Sequence, residues 1–194
     1  MKKKDFKHVY QFKITLRYTK PPVWRRIQVP ETYTFWDLHV AIQDAMGWWD
    51  CHLHEFRLKN PTNGKKVTIG IPYEEEPFLP SKTLPGWDHK IAPYFTMENP
   101  KATYLYDFGD GWEHIVKLEK ICPREKDKQY PVCIGGKRAC PPEDCGGIPG
   151  YEMICSGEHE FQEEFEDYDP EYFKPTEVRF DDPEERWKIA FGPE

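Results

Sequence analysis

Two stretches carry residue types that could do chemistry. The first is Leu105-Tyr106-Asp107-Phe108-Gly109-Asp110-Gly111-Trp112-Glu113-His114. It crowds three carboxylates, a Trp and a His around a glycine-rich turn. Asp107, Asp110 and Glu113 are the candidate acid–base groups, either proton carriers or activators of a metal-bound water. The second runs from Cys133 to Tyr151 and spaces its thiols as Cys133-x6-Cys140-x4-Cys145. Three thiols with His114 supply the N and S donors that zinc takes in tetrahedral sites. Cys133, Cys140, Cys145 and His114 are therefore the candidate metal ligands, and zinc is the cofactor they imply. Trp112, Lys137, Arg138 and Arg25 are the candidate ligand-binding groups. Lys137 and Arg138 beside the Gly135-Gly136 backbone would suit an anion, or would lower the pKa of Cys140 for nucleophilic work with His114 as base. The bland alternatives are a polar hairpin end and an ordered Pro/Gly loop with small buried thiols.

The elements that must position these residues read mostly as strands. His8–Thr19 alternates Tyr10, Phe12, Ile14, Leu16 and Tyr18 with Gln11, Lys13, Thr15 and Arg17, which means one buried and one wet face. Val23–Val29 comes after Lys20-Pro21-Pro22, with Arg25 on the apolar parity. Ala102–Phe108 and Trp112–Ile121 form the carboxylate hairpin, and the Asp110-Gly111 pair suits its tight turn. Period two places Asp107 and Glu113 apart from Trp112 and His114. His52–Leu58 and Lys66–Ile71 form another hairpin. His52 and His54 share one face, a spacing compatible with a metal or with packing on Trp48 and Trp49.

One helix is clear. Thr34 is its cap, Asp37 reaches back as in a capping box, and Gly47 stops it. Phe35, Leu38, Ile42, Ala45 and Met46 make its apolar stripe. Asp37, Gln43 and Asp44 mark the side expected to be exposed; it lacks Lys and Arg, so the helix is scaffold rather than a DNA reader. Residues 72–100 are irregular, and their aromatics, including Phe78, Trp87, Tyr94 and Phe95, are expected to drape over the core. Glu158–Tyr168 reads as an acidic helix with Phe161 and Phe165 as its stripe, and Asp182-Pro183 opens a short last helix.

Composition bounds the rest. The chain has 194 residues, 19 prolines and a formal net charge of −7, which argues against bulk binding of nucleic acid but leaves room for a local basic strip. No apolar run approaches the roughly 20 residues of a membrane helix, and the chain shows no signal-peptide segment, so a cytoplasmic location is expected. The expected fold is α+β: a mostly antiparallel sheet of about five to seven strands, one main helix packed on it, and long Pro/Gly-rich loops. One domain over 1–194 is expected, with sheet and helix in 1–121, the Cys/Pro/Gly loop in 122–157 and an acidic helical extension in 158–194.

The chain resembles the plasmid pRiA4b ORF-3-like family, also labelled transposable-element passenger proteins. The resemblance covers Val9 to about Phe180. It rests on Tyr10-x-Phe12-x-Ile14, Pro22-Val23-Trp24-Arg25-Arg26, Thr34-Phe35-x-x-Leu38-His39, Gly47-Trp48 and His52-Leu53-His54-Glu55-Phe56. It rests equally on Tyr106–His114 and on Arg138-Ala139-Cys140-Pro141-Pro142-Glu143-Asp144-Cys145-Gly146-Gly147. It implies one α+β domain and no established activity. Three functional readings stand: a binding or accessory module using the hairpin and the Cys loop, a metal-assisted hydrolase using the same residues, or a nucleic-acid binder working through Arg25, Arg26, Lys137 and Arg138. A protein or nucleic-acid partner is expected, and no membrane.

Overall fold

A computed structural model describes residues 5–73, 83–158 and 162–192. Eight strands form one sheet: β1 (His8–Leu16), β2 (Trp24–Pro30), β3 (His54–Lys59), β4 (Lys66–Gly70), β5 (Thr83–Pro85), β6 (Lys101–Tyr106), β7 (Trp112–Pro123) and β8 (Val132–Lys137). Their order is β5-β4-β3-β6-β7-β1-β2-β8, antiparallel throughout except for the β4–β5 pair. The expected antiparallel α+β architecture is present, with two strands in segments read as loop. β5 lies in the irregular 72–100 stretch and β8 in the cysteine loop. Both sit at the sheet's edges and are too short or too glycine-rich to show a period-two pattern.

Alternation decides which face is buried. Phe12, Ile14 and Leu16 of β1, Val23 just before β2, Ile27 and Val29 of β2, Tyr104 and Tyr106 of β6, and Val116 and Leu118 of β7 are buried on one face. Each such side chain contributes about 1.5–3 kcal/mol relative to an exposed one. Helix α1 (Phe35–Met46) covers that face with Phe35, Leu38, Ile42 and Ala45. Tyr94 and Phe95 do drape over it, their rings 5.4 and 6.0 Å from Phe35. Phe78 lies outside the described residues.

α1 starts where expected. Thr34 Oγ1 accepts from the Asp37 amide at 3.1 Å, and Asp37 Oδ2 accepts from the Thr34 amide at 2.9 Å. Gly47 closes the helix at φ 94°. The expected exposed side, however, is not exposed: Asp37 and Gln43 are buried. Gln43 turns inward and donates to the Tyr104 hydroxyl at 2.8 Å. The outer side of α1 is covered from far along the chain. Helix α3 (Pro183–Phe191) packs there, taking a hydrogen bond from Trp36 Nε1 to the Pro183 carbonyl at 2.9 Å and pairing Arg186 with Asp44 at 2.7 Å.

Two further differences concern the tail. A helix α2 (Gly147–Ser156) forms within the stretch 122–157 that was expected to be loop. The expected acidic helix over 158–168 reduces, among the described residues, to one 3-10 turn at Gln162–Phe165; Phe161 lies outside them. Consecutive acids repel at helical spacing, and the segment has little apolar surface to offset that. Replacing Thr34 by Ala removes one half of the capping box. It is expected to cost about 1 kcal/mol and to lower the thermal midpoint by roughly 2–4 °C, measured by circular dichroism; an unchanged midpoint would contradict the cap's role.

Candidate functional site

The C-terminal turn of α1 leads into the segment that builds the site. Gly47 turns the chain, and Trp48 to His54 then meet the carboxylate hairpin and the cysteine loop. Trp48 Nε1 donates to the Pro141 carbonyl at 3.0 Å, and its ring lies 5.0 Å from Tyr106 and 5.3 Å from His114. Glu143 is the knot: its carboxylate accepts from the Trp49 amide at 2.7 Å and from the Tyr106 hydroxyl at 3.1 Å. The Tyr106 oxygen accepts in turn from the Cys51 amide at 3.1 Å. Burial raises the Glu143 pKa above the usual carboxyl range, and burial likewise pushes Tyr106 up.

The hairpin and the cysteine loop are in contact, though not through the thiols and His114 that suggested it. At Gly147, held at φ 69°, the two come together so tightly that a Cβ would lie 2.6 Å from the Asp110 carbonyl oxygen. The tip itself differs from a two-residue turn. Asp107 and Gly111 take the positive φ values, 53° and 70°, and the Gly111 amide donates to the Asp107 carbonyl at 2.7 Å.

Asp50, His52 and His54 come from one short run and divide between two clusters. In the buried one, His39 Nε2 lies 2.7 Å from Asp50 Oδ1 and Nδ1 lies 2.8 Å from the Tyr104 hydroxyl, which accepts from Gln43 Nε2 at 2.8 Å. One proton arrangement satisfies this chain: Tyr104 donates to Nδ1, and Nε2–H donates to Asp50. His54 stacks on His39 with ring centroids 3.4 Å apart and planes at 8°. Both of its nitrogens are buried without a hydrogen-bond partner, so burial drives its pKa well below the usual imidazole range. An imidazole lone pair lies in the ring plane, so rings stacked face to face do not aim at one shared ion.

The second cluster lies at the rim of the surface: Asp144 is exposed, His52 is half-buried with its Nε2 covered, and Asp107 is buried. His52 Nε2 sits 3.0 Å from Asp144 Oδ1 and 3.7 Å from Asp107 Oδ2. The three donor atoms lie within 4.8 Å of one another. Exposed Trp49, Leu53 and Phe108 are contributed by the same segments, Trp49 being 79% exposed.

The groups singled out from sequence scatter around this centre. Asp107 is the buried member of the second cluster. Asp110 faces the cysteine loop, its Oδ2 buried without a partner. Glu113 points to the opposite face and pairs with Arg17. Cys133, Cys140, Cys145 and His114 do not gather: no three of their donor atoms fall within 4.8 Å of one another. Burial raises the Cys133 and Cys140 thiols and pushes Cys145 up to about 12, which weighs against a thiolate nucleophile. His114 donates Nδ1–H to the Trp112 carbonyl, and burial lowers its pKa to about 3. Of the ligand-binding candidates only Lys137 is exposed. Trp112, Arg25 and Arg138 are buried; Arg138 pairs with Glu171 and donates to the Pro21 carbonyl. Gly136 cannot cradle an anion, because the Phe173 ring occupies the place of its missing Cβ at 2.2 Å. Sequence reading missed Asp50, Glu143 and Asp144 as site residues. Glu143 and Asp144 sit inside the Arg138–Gly147 motif, and Asp50 lies between Trp49 and Cys51, so their only local signal was as acids next to those residues.

Fold and site together define an α+β protein: a mostly antiparallel eight-stranded sheet backed by a capped helix, with a His–carboxylate cluster where hairpin and cysteine loop meet. The chain belongs to the plasmid pRiA4b ORF-3-like protein family, whose sequence profile matches residues 8–182. It is 37% identical over 150 residues to the uncharacterized protein y4hQ of Sinorhizobium fredii, covering 76% of this chain and 71% of that one. The crystal structure of a protein of unknown function, MM3350 from Methanosarcina mazei Go1, matches with a TM-score of 0.82 and 45% identity, over 91% of this chain and all of that one. Among the described residues no helix is long and apolar enough to cross a membrane.

This packing has two expected outcomes. His54 and His114 are held neutral in the fold, whereas unfolded imidazoles take up protons near pH 6.5. Their stabilising contribution is complete above that pH and is lost as pH falls below it, by up to about 1.4 kcal/mol per pH unit for each group. Urea unfolding at pH 7.5 and 5.5 should show the drop, and His54→Phe should flatten it; greater stability at pH 5.5 would contradict it. Gly147→Ala should destabilise by more than the roughly 1–2 kcal/mol of its positive φ alone. Gly64→Ala, at φ 69° with open space around it, is the control, and equal losses would remove the hairpin–loop contact from the account.

Proposed function

We propose that the chain is a binding module that presents its hairpin tip and its Pro/Gly-rich loop as one rigid face. In this reading His52, Asp107 and Asp144 hold a divalent cation on that face. Imidazole nitrogen and carboxylate oxygens suit zinc, so zinc is retained as the ion, on a different donor set from the thiols. The observation that carries the reading is the 3.0 and 3.7 Å approach of His52 Nε2 to Asp144 and Asp107, on segments locked together by Glu143. The ion would give a partner's carboxylate or phosphate oxygen a point of attachment. The exposed Trp49 and Phe108 would add apolar contact, as aromatic anchors do at interfaces.

A second reading, metal-assisted hydrolysis, draws support from the exposed Asp144 of the same cluster. Three protein ligands leave positions for water and substrate, the condition of a catalytic rather than a structural ion. Isothermal titration with zinc, manganese and calcium tests both. Wild type should take up one equivalent of at least one ion, and Asp107→Asn and Asp144→Asn should each weaken it by about tenfold or more. No uptake by wild type, or unchanged uptake by both variants, would overturn the cation site. Turnover of activated phosphodiesters or esters by the loaded protein would favour hydrolysis over simple binding.

A further inference from the structure

The outer face of the sheet, turned away from α1, carries a row of cations that the hairpin–loop face does not use. Register places Lys101 opposite Lys117, Lys117 opposite Lys13, and Lys13 opposite Arg26, across β6, β7, β1 and β2. Neighbouring strands lie about 4.8 Å apart, so the row runs straight across them for roughly 14 Å. Like charges directly opposite one another destabilise a sheet. Nothing among the described residues cancels this row in full. Glu119 pairs with Arg26 at 2.7 Å and accepts from Gln11 at 2.9 Å. Lys13, Lys101, Lys117 and the adjacent Lys120 have no ion-pair partner among the described residues. Lys13 and Arg26 share the Trp24 ring instead, at 4.8 and 5.1 Å from its centroid.

The same face is concave and partly apolar. A hollow of about 710 Å³ is lined by Arg26, Met97, Lys117, Lys120 and Ile134, with Glu119, the partner of Arg26, also on its wall. Met97 is 52% exposed and Ile134 39%. In a chain of formal net charge −7, this is a local reversal of sign.

We propose that this sheet face binds single-stranded nucleic acid, with Lys13, Lys101, Lys117 and Arg26 along its phosphates and its bases over the apolar rim. A polyanion relieves the repulsion within the row. Single strands are favoured over a duplex because cations beside exposed apolar side chains suit a backbone whose bases are unstacked and free to lie down. The nucleic-acid reading from sequence thereby moves: Arg25 and Arg138 are buried and take no part, while Arg26 remains. No residue of the His52–Asp107–Asp144 cluster is involved, so the two readings fail separately.

Fluorescence anisotropy of the full chain tests it, with a labelled 20-nucleotide RNA, the matching DNA, a duplex and poly-glutamate, from 50 to 300 mM salt. Single strands should bind, with a slope of log K against log salt near −2, the value for about three phosphates on a single strand. Lys13→Glu with Lys117→Glu should weaken binding at least tenfold, and Lys90→Glu with Lys188→Glu, on the helix side, should leave it within twofold. If the reversal variant loses its circular dichroism signal, Lys13→Gln with Lys117→Gln replaces it, with a loss of about threefold or more expected. No binding at 50 mM salt, equal binding by the row variants, or tighter binding to duplex or poly-glutamate than to single strands would overturn the proposal.

Discussion

The structure depends on one buried cation. Arg25 is 1% exposed and has no carboxylate partner among the described residues. Its guanidinium donates to the carbonyl of Ala45 at 2.8 Å, to that of Trp24 at 3.0 Å and to that of Lys137 at 3.2 Å, and it lies 3.7 Å over the Phe173 ring. A buried charge is tolerated only where hydrogen bonds replace water. Here one comes from the last turn of α1, where free carbonyls and the negative end of the helix dipole favour a cation, and the others come from β2 and β8. One side chain therefore ties helix, β2, β8 and the C-terminal segment together. Gly136 completes the arrangement, since only a residue without a Cβ admits Phe173.

Anchoring the end of α1 also anchors the segment beyond it. Gly47 sends the chain outward, and Asp50, His52 and His54 emerge at set positions. Asp50 and His54 enter the core beside His39, while His52 stays at the surface. The aspartates they meet are unusual in backbone as well as in side chain: Asp50, Asp107 and Asp144 all have positive φ, at 62°, 53° and 53°. Asp adopts that region more readily than most residues. Such conformations persist only where surrounding contacts over-determine them, and they concentrate at functional sites. Glu143 and Tyr106 supply those contacts here.

The sheet separates two environments. On the α1 side, aromatic rings and imidazoles pack closely, and burial holds His54 and His114 neutral. On the other side, lysines and Arg26 remain hydrated at the open face. Cross-strand register, not sequence proximity, assembles the basic row. Lys13, Lys101 and Lys117 are far apart along the chain and are neighbours only because β6, β7 and β1 pair as they do.

Local patterns were enough for much of this. Alternation in β1, β2, β6 and β7 defined the strands and their buried faces, because burial on one side imposes period two. Thr34, Asp37 and Gly47 bounded α1, because caps are satisfied within a few residues. The contact between hairpin and cysteine loop was expected from a thiol–His114 donor set, but Glu143 and Tyr106 make it instead. What no local pattern could carry was which side chains end up inside. Gln43 and Asp44 look like a wet helix face until Tyr104 takes the one and Arg186, from the far end of the chain, takes the other. Arg25 and Arg138 look like an anion site until carbonyls, Glu171 and Phe173 close over them. Asp50, Glu143 and Asp144 look like loop acids until the fold brings them to His39, Tyr106 and His52. The amino-acid sequence by itself determined the elements and their ends, because hydrogen bonds and periodicity there are short-range. The tertiary structure alone decided the site, because its members are joined by contacts whose partners lie on different strands and loops.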